Sequence, residues 1–156
     1  MISYKESLQL LEQTAKNYID SFVEEVDLIQ SVERVLAEDL RARENNPPFD
    51  NSAMDGFAVN AAAIIAQMNS SEGWIPVQTI IAAGDTDFNI GSLKDSVEIM
   101  TGAPIPDPYF DSVIRVEDVQ AKINSQGQKM IKLNSSPMPG DNIRRAGEDT
   151  KLGDVL

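Results

Sequence analysis

Asn46-Pro47-Pro48-Phe49-Asp50-Asn51-Ser52-Ala53-Met54-Asp55-Gly56-Phe57-Ala58-Val59 is the stretch around which the rest of the chain is read. Pro47 and Pro48 fix their own φ and push the preceding residues toward extended backbone, so no helix forms there. Asp50, Asn51, Ser52 and Asp55 follow, and Gly56 closes the polar run. Phe57, Ala58 and Val59 read as the start of a strand. The pattern is a rigid loop that displays carboxylate and amide oxygens from a strand anchor, as functional loops do. An Asx-rich turn into a strand accounts for the same residues.

Upstream, Ser3 and Glu6 form a capping-box pattern before apolar residues at helical spacing, Leu8, Leu11, Ala15, Tyr18 and Ile19. A helix is expected over 4–18. Residues 26–29 read as a short strand, and 31–37 as a helix capped by Ser31. Downstream, Asn60 caps a helix over 61–68, and 69–73 form a turn. Strands are expected over 74–83, 97–100 and 112–116, with Pro76 near a strand start or sheet edge. A hairpin should join 119–123 to 129–133 across a turn at 124–128. The middle of the chain is thus short strands, and both ends are more helical. The expected class is α+β, mostly β. Its irregular, coiled sheets form a β-rich lobe over 46–140, inserted into a mixed lobe made from 1–45 and 141–156. The apolar finish at Val155 and Leu156 suggests a cut chain.

Composition narrows the chemistry. The 156 residues are 42% hydrophobic, enough for a core, and include no cysteine and no histidine. Disulfides, thiolate metal sites and imidazole chemistry are excluded, which leaves carboxylates, hydroxyls, Lys and Tyr. Asp and Glu number 25 against 13 Lys and Arg, for a net charge of −12. That field disfavours nucleic acid. No apolar run approaches the ~20 residues of a membrane span, and no secretory signal pattern is seen. A cytoplasmic protein is expected.

Two further stretches stand out. Met100-Thr101-Gly102-Ala103-Pro104 delivers a hydroxyl to a glycine turn, although a plain strand-end turn reads the same way. Asn142-Ile143-Arg144-Arg145-Ala146-Gly147-Glu148-Asp149 places adjacent arginines in an acidic chain. They suit an oxyanion or phosphate, or internal salt bridges to carboxylates such as Glu148 and Asp149. Carboxylates and a hydroxyl favour a hard cation such as magnesium.

Taken together, these stretches resemble the MoeA family, the molybdopterin molybdenumtransferases, which includes the gephyrin E-domain. The opening loop, Ala82-Ala83-Gly84, the run from Ile99 to Pro106 and the run from Pro139 to Asp149 follow the family's order and spacing. Two places depart from it. Pro106-Asp107-Pro108-Tyr109-Phe110-Asp111 is one residue longer than the family's usual Pro-Asp-Gly-Ala-Asp and lacks its glycine, and Asp95 stands where glycine is usual. The resemblance covers the N-terminal part of a longer protein whose MogA-like and C-terminal β domains lie outside this chain. It implies insertion of molybdate into adenylylated molybdopterin, with Mg2+ and release of AMP. The cleft would be shared with the partner of a homodimer, and a MogA-like protein would supply the adenylylated substrate. On matching positions it implies Asp55 and Thr101 as catalytic and metal residues. Asp50, Ser52, Asp141, Arg144 and Arg145 are implied toward substrate, and Glu148 and Asp149 toward metal; the alternative for Asp141, Arg144, Arg145, Glu148 and Asp149 is a hinge between the lobes. The alternative is a gephyrin-like, non-catalytic scaffold and dimerisation module.

Overall fold

The structure, a computed structural model, describes residues 2–19, 23–68, 73–106 and 108–156. The chain divides into two compact units. One comprises Met1–Leu40 with Val155–Leu156; the other, Arg41–Asp154, holds every candidate site residue.

The first unit begins with α1, Tyr4–Ile19. Its start is the reciprocal box read from the sequence: Ser3 N–H donates to Glu6 Oε2 at 2.7 Å, and Glu6 N–H donates to Ser3 Oγ at 3.3 Å. The apolar stripe of α1 is uncovered, with Leu8, Leu11 and Tyr18 exposed. The expected strand at 26–29 and helix at 31–37 do not form. A 3₁₀ turn, Leu28–Ser31, takes their place, and Glu33 sits at φ 66°. Leu28, Ile29, Val32 and Val35 are all exposed. A seven-residue helix is too short to hold without packing, and these side chains have none within the described unit.

The second unit is a curled mixed sheet. Its strands are β1 (Asn51–Ser52), β2 (Gly56–Val59), β3 (Ile75–Ile81), β4 (Ser96–Ile99), β5 (Ser112–Arg115), β6 (Val119–Ile123), β7 (Lys129–Leu133) and β8 (Ile143–Arg144). Six of them run in the order β5-β2-β4-β3-β7-β6, with β3 and β4 parallel and the other neighbours antiparallel. The helix α2, Ala61–Met68, follows β2. Asn60 Oδ1 accepts the Ala63 N–H at 3.0 Å as expected, and Asp111 Oδ1 accepts the Ala61 N–H at 2.8 Å. The expected hairpin forms as β6 and β7. The turn expected at 69–73 lies outside the described residues except for Gly73, as does Phe22 ahead of the expected strand at 26–29. The C-terminal end of the chain is not helical; its described residues form β8 and turns.

Both faces of the sheet are covered, which is why β2 is buried along its whole length. Phe57 and Val59 join Ile64 of α2, Ile75 and Ile131 on one face. Ala58 joins Val97, Ile99, Ala103 and Phe110 on the other. Successive strand residues alternate between the two clusters, as pleating requires. On β3, Val77 packs on the first face and Ile81 on the second, although their spacing would keep them on one side. A register shift between Val77 and Ile80 makes the switch.

Gly56 begins β2 between two neighbours, opposite Ile99 on β4 and Arg115 on β5. A Cβ there would lie 2.0 Å from the Ile114 carbonyl oxygen. The strands meet closely at that point only because the residue has no side chain.

Candidate functional site

The opening loop is the middle ribbon of three. On one side it bonds to the turn at 100–103: Ser52 N–H donates to Ala103 O at 3.0 Å, Gly102 N–H to Ser52 O at 2.8 Å, and Ile105 N–H to Asp50 O at 3.0 Å. On the other side β1 pairs with β8, Asn51 opposite Arg144 and Ser52 opposite Ile143. Ala53 N–H extends that contact to Asn142 O at 2.9 Å. Segments some fifty and ninety residues downstream are thus brought against one short loop.

The turn at 100–103 is closed by Ala103 N–H on Met100 O at 3.0 Å, with Gly102 at φ 81°. That is a type II turn, and it requires a residue free to take positive φ at Gly102. The turn presents Thr101 toward Asp55. Thr101 donates its amide N–H and its hydroxyl to Asp55 Oδ1, each at 2.7 Å. Both residues are exposed. The two bonds, the amide first, hold the Asp55 carboxyl below the usual carboxylate range. Among the described residues, Asp55 Oδ2 takes no hydrogen bond.

The remaining expected site residues are bound to one another. Asp50 accepts the Ala146 N–H on Oδ1 at 2.8 Å and Arg145 Nη1 on Oδ2 at 2.6 Å. The Ala146 bond is the leading cause of a lowered Asp50 pKa. Arg144 Nη2 donates to Asp149 Oδ2 at 2.5 Å, and Arg145 N–H to Glu148 Oε2 at 2.9 Å. Asp141 Oδ2 accepts the Met138 N–H at 2.9 Å. Ser52 is buried, and its hydroxyl donates to Met54 O at 2.6 Å. Of the two readings of the arginine pair, the internal one is realised: each guanidinium already faces a carboxylate.

Among the described residues the donor set does not build a closed, all-protein magnesium cage. No three of the described acidic side chains gather round one point. Glu148 and Asp149 face Arg145 and Arg144, and Asp55 offers one oxygen. Magnesium is commonly held by one or two carboxylates with the rest of its shell from water and substrate, and Asp55 Oδ2 is open to such a contact.

Asn142 was not singled out from the sequence. It sits at φ 52° and donates Nδ2–H to Val113 O at 2.8 Å, while its carbonyl accepts from Ala53. It covers the outer edge of β5 and joins that edge to the opening loop. Asn is among the few residues that tolerate positive φ, and this is the signal a sequence could have offered.

Comparison with known proteins identifies the family. The family model for the MoeA N-terminal region (domain I and II) matches residues 2–156. The molybdopterin molybdenumtransferase of Synechococcus elongatus is 34% identical over 158 residues, covering 100% of this chain and 37% of that protein. That of Haemophilus influenzae is 39% identical over 133 residues, covering 85% of this chain and 30% of that protein. The crystal structure of the molybdopterin biosynthesis MoeA protein from Pyrococcus horikoshii OT3 superposes with a TM-score of 0.71 at 30% identity, covering 100% of this chain and 39% of that one. The chain therefore spans well under half the length of these relatives.

Proposed function

The chain belongs to the MoeA family through its N-terminal region, and from that premise we propose that it serves a molybdopterin molybdenumtransferase in molybdenum cofactor biosynthesis. Its part is one wall of the cleft in which molybdate is inserted into adenylylated molybdopterin, with AMP released. The observation that carries this reading is the Asp55–Thr101 pair: an ionised carboxylate on an exposed loop, fixed by two donors from a second loop.

The geometry supports a role for the pair. A carboxylate whose one oxygen already accepts two donors is fixed in direction, which suits Asp55 to orienting a group rather than abstracting a proton. Its second oxygen is available to a donor or water at the reacting phosphate. Thr101 uses both its donors on Asp55 and so fixes the direction of that oxygen. Magnesium, where the reaction uses it, would find one oxygen at Asp55 and the rest of its ligands on substrate, water or the remainder of the protein, and no step here runs through it.

The other half of the cleft comes from the MogA-like domain of a homodimer partner, in a longer polypeptide located in the cytoplasm. The apolar side chains left uncovered on Met1–Leu40, Leu28, Ile29 and Val35 among them, support a protein partner for that unit. A gephyrin-like scaffold would need neither Asp55 nor Thr101 in this arrangement.

The test is molybdate-dependent AMP release from adenylylated molybdopterin. The full-length protein is expected to release AMP, and the 156-residue chain alone is not. Full-length protein without this activity would overturn the proposal.

A further inference from the structure

We propose that Asp50 is a positioning residue: its carboxylate locks the ribbon that presents Asp55 against its two flanking segments, rather than contacting substrate. The inference rests on the Asp55–Thr101 pair as the site, but its test reads geometry and not turnover.

Asp50, like Ser52, is a point where all three segments meet, and among the named site residues its side chain reaches the downstream segment through both oxygens. Its main-chain carbonyl accepts the Ile105 N–H at the exit of the Thr101 turn. Its two carboxylate oxygens reach the other way, one to the Ala146 N–H and one to the Arg145 guanidinium, in a segment 95 residues downstream. Both oxygens are engaged, so the group has little left with which to bind a ligand. The Asp50 side chain is 34% exposed and that of Arg145 58%, so the ion pair is partly open to water and the Ala146 N–H is the firmer of the two contacts.

The flank that Asp50 closes is otherwise thin. Strands β1 and β8 are two residues each. So short a ladder is marginal by itself, and its register needs a further anchor. Asp50 precedes β1 and Arg145 follows β8, so the carboxylate clamps the end of that ladder. Ser52 lies in the ladder and also bonds to Gly102 and Ala103. Slippage on the outer side of the ribbon is therefore passed to the turn that holds Thr101.

The experiment is solvent-exchange NMR on the chain at fixed neutral pH, comparing wild type with Asp50→Asn and Arg145→Met. The reporters are the Thr101 amide, which donates to Asp55, and the Gln120 and Lys132 amides of the distant hairpin. In Asp50→Asn the Thr101 amide should exchange roughly tenfold faster and move upfield, as expected when a charged hydrogen bond loosens locally. The hairpin amides should not change. Arg145→Met keeps the Ala146 bond and should give the same change, but smaller. Loosening confined to Ala146, with Thr101 unchanged, would overturn the proposal, as would equal acceleration at Thr101 and the hairpin. Should Asp50→Asn fail to fold, the Arg145→Met result decides alone: a Thr101-specific change supports the proposal, and an unchanged Thr101 overturns it.

Discussion

Thr101 donates twice to one oxygen of Asp55, through its amide and its hydroxyl, both at 2.7 Å. The two residues are 46 apart in sequence and lie on different loops. The hydroxyl can therefore be removed without removing the amide donor. In Thr101→Val the Asp55 carboxyl should titrate at higher pH than in wild type, read from its carbon resonance. Thr101→Ser keeps both donors and should leave that titration where it is. Turnover should follow the same order, with Val at least about tenfold below Ser, because a misaimed group costs on that scale.

The pH dependence of stability has a fixed sign. Glu6, Asp50 and Asp55 all have lowered pKa values, from Ser3, from Ala146 with Arg145, and from Thr101 respectively. Their contribution is fully present above the ordinary carboxylate pKa of roughly 4 and is lost as pH falls through the lowered values. Asp95 runs the other way, because burial raises its pKa and its charged form costs stability near neutrality. Thermal denaturation should show stability falling below about pH 4. Asp95→Asn should raise the neutral-pH midpoint, and Asp50→Asn should lower it.

Gly56→Ala should damage the core of the sheet. The added methyl would meet the Ile114 carbonyl oxygen at 2.0 Å, and a backbone atom cannot rotate away. Strands β2 and β5 would have to separate. The loss should be at least the ~1–3 kcal/mol of ordinary overpacking, measured by urea denaturation. A Gly102→Ala change acts differently: nothing lies near its Cβ, but φ is 81°. It should cost about 1 kcal/mol through backbone strain and disturb the Thr101 turn.

Much of this was legible in the residues. The capping box at Ser3 and Glu6, the Asn60 cap and the 119–133 hairpin rest on local rules, and local rules held where packing agreed with them. The segment at 26–37 misled, because its apolar residues promise burial that this unit does not supply. The convergence of Asp55 with Thr101 was legible only as a resemblance. No local rule reports that two loops 46 residues apart will meet. The clasp of Asp50 on Arg145 was hidden for the same reason, and the arginine pair alone fits a ligand as well as a carboxylate.

The uncovered apolar residues of Met1–Leu40 give a prediction about assembly. Val35 is 91% exposed, so replacing it should not disturb a core. In the full-length protein, Val35→Asp should shift the proposed homodimer toward monomer, as followed by sedimentation equilibrium. An unchanged dimer would remove this surface from the interface.

The opening loop is proposed to serve chiefly to present Asp55. Asp55→Asn keeps the shape and most of the hydrogen-bonding capacity of the side chain but removes its charge. The most direct test is molybdenum insertion by the full-length protein, wild type beside Asp55→Asn, with folding and dimerisation checked in parallel. The expected result is insertion abolished with fold and dimer intact. Insertion at the wild-type rate would take Asp55 out of the site.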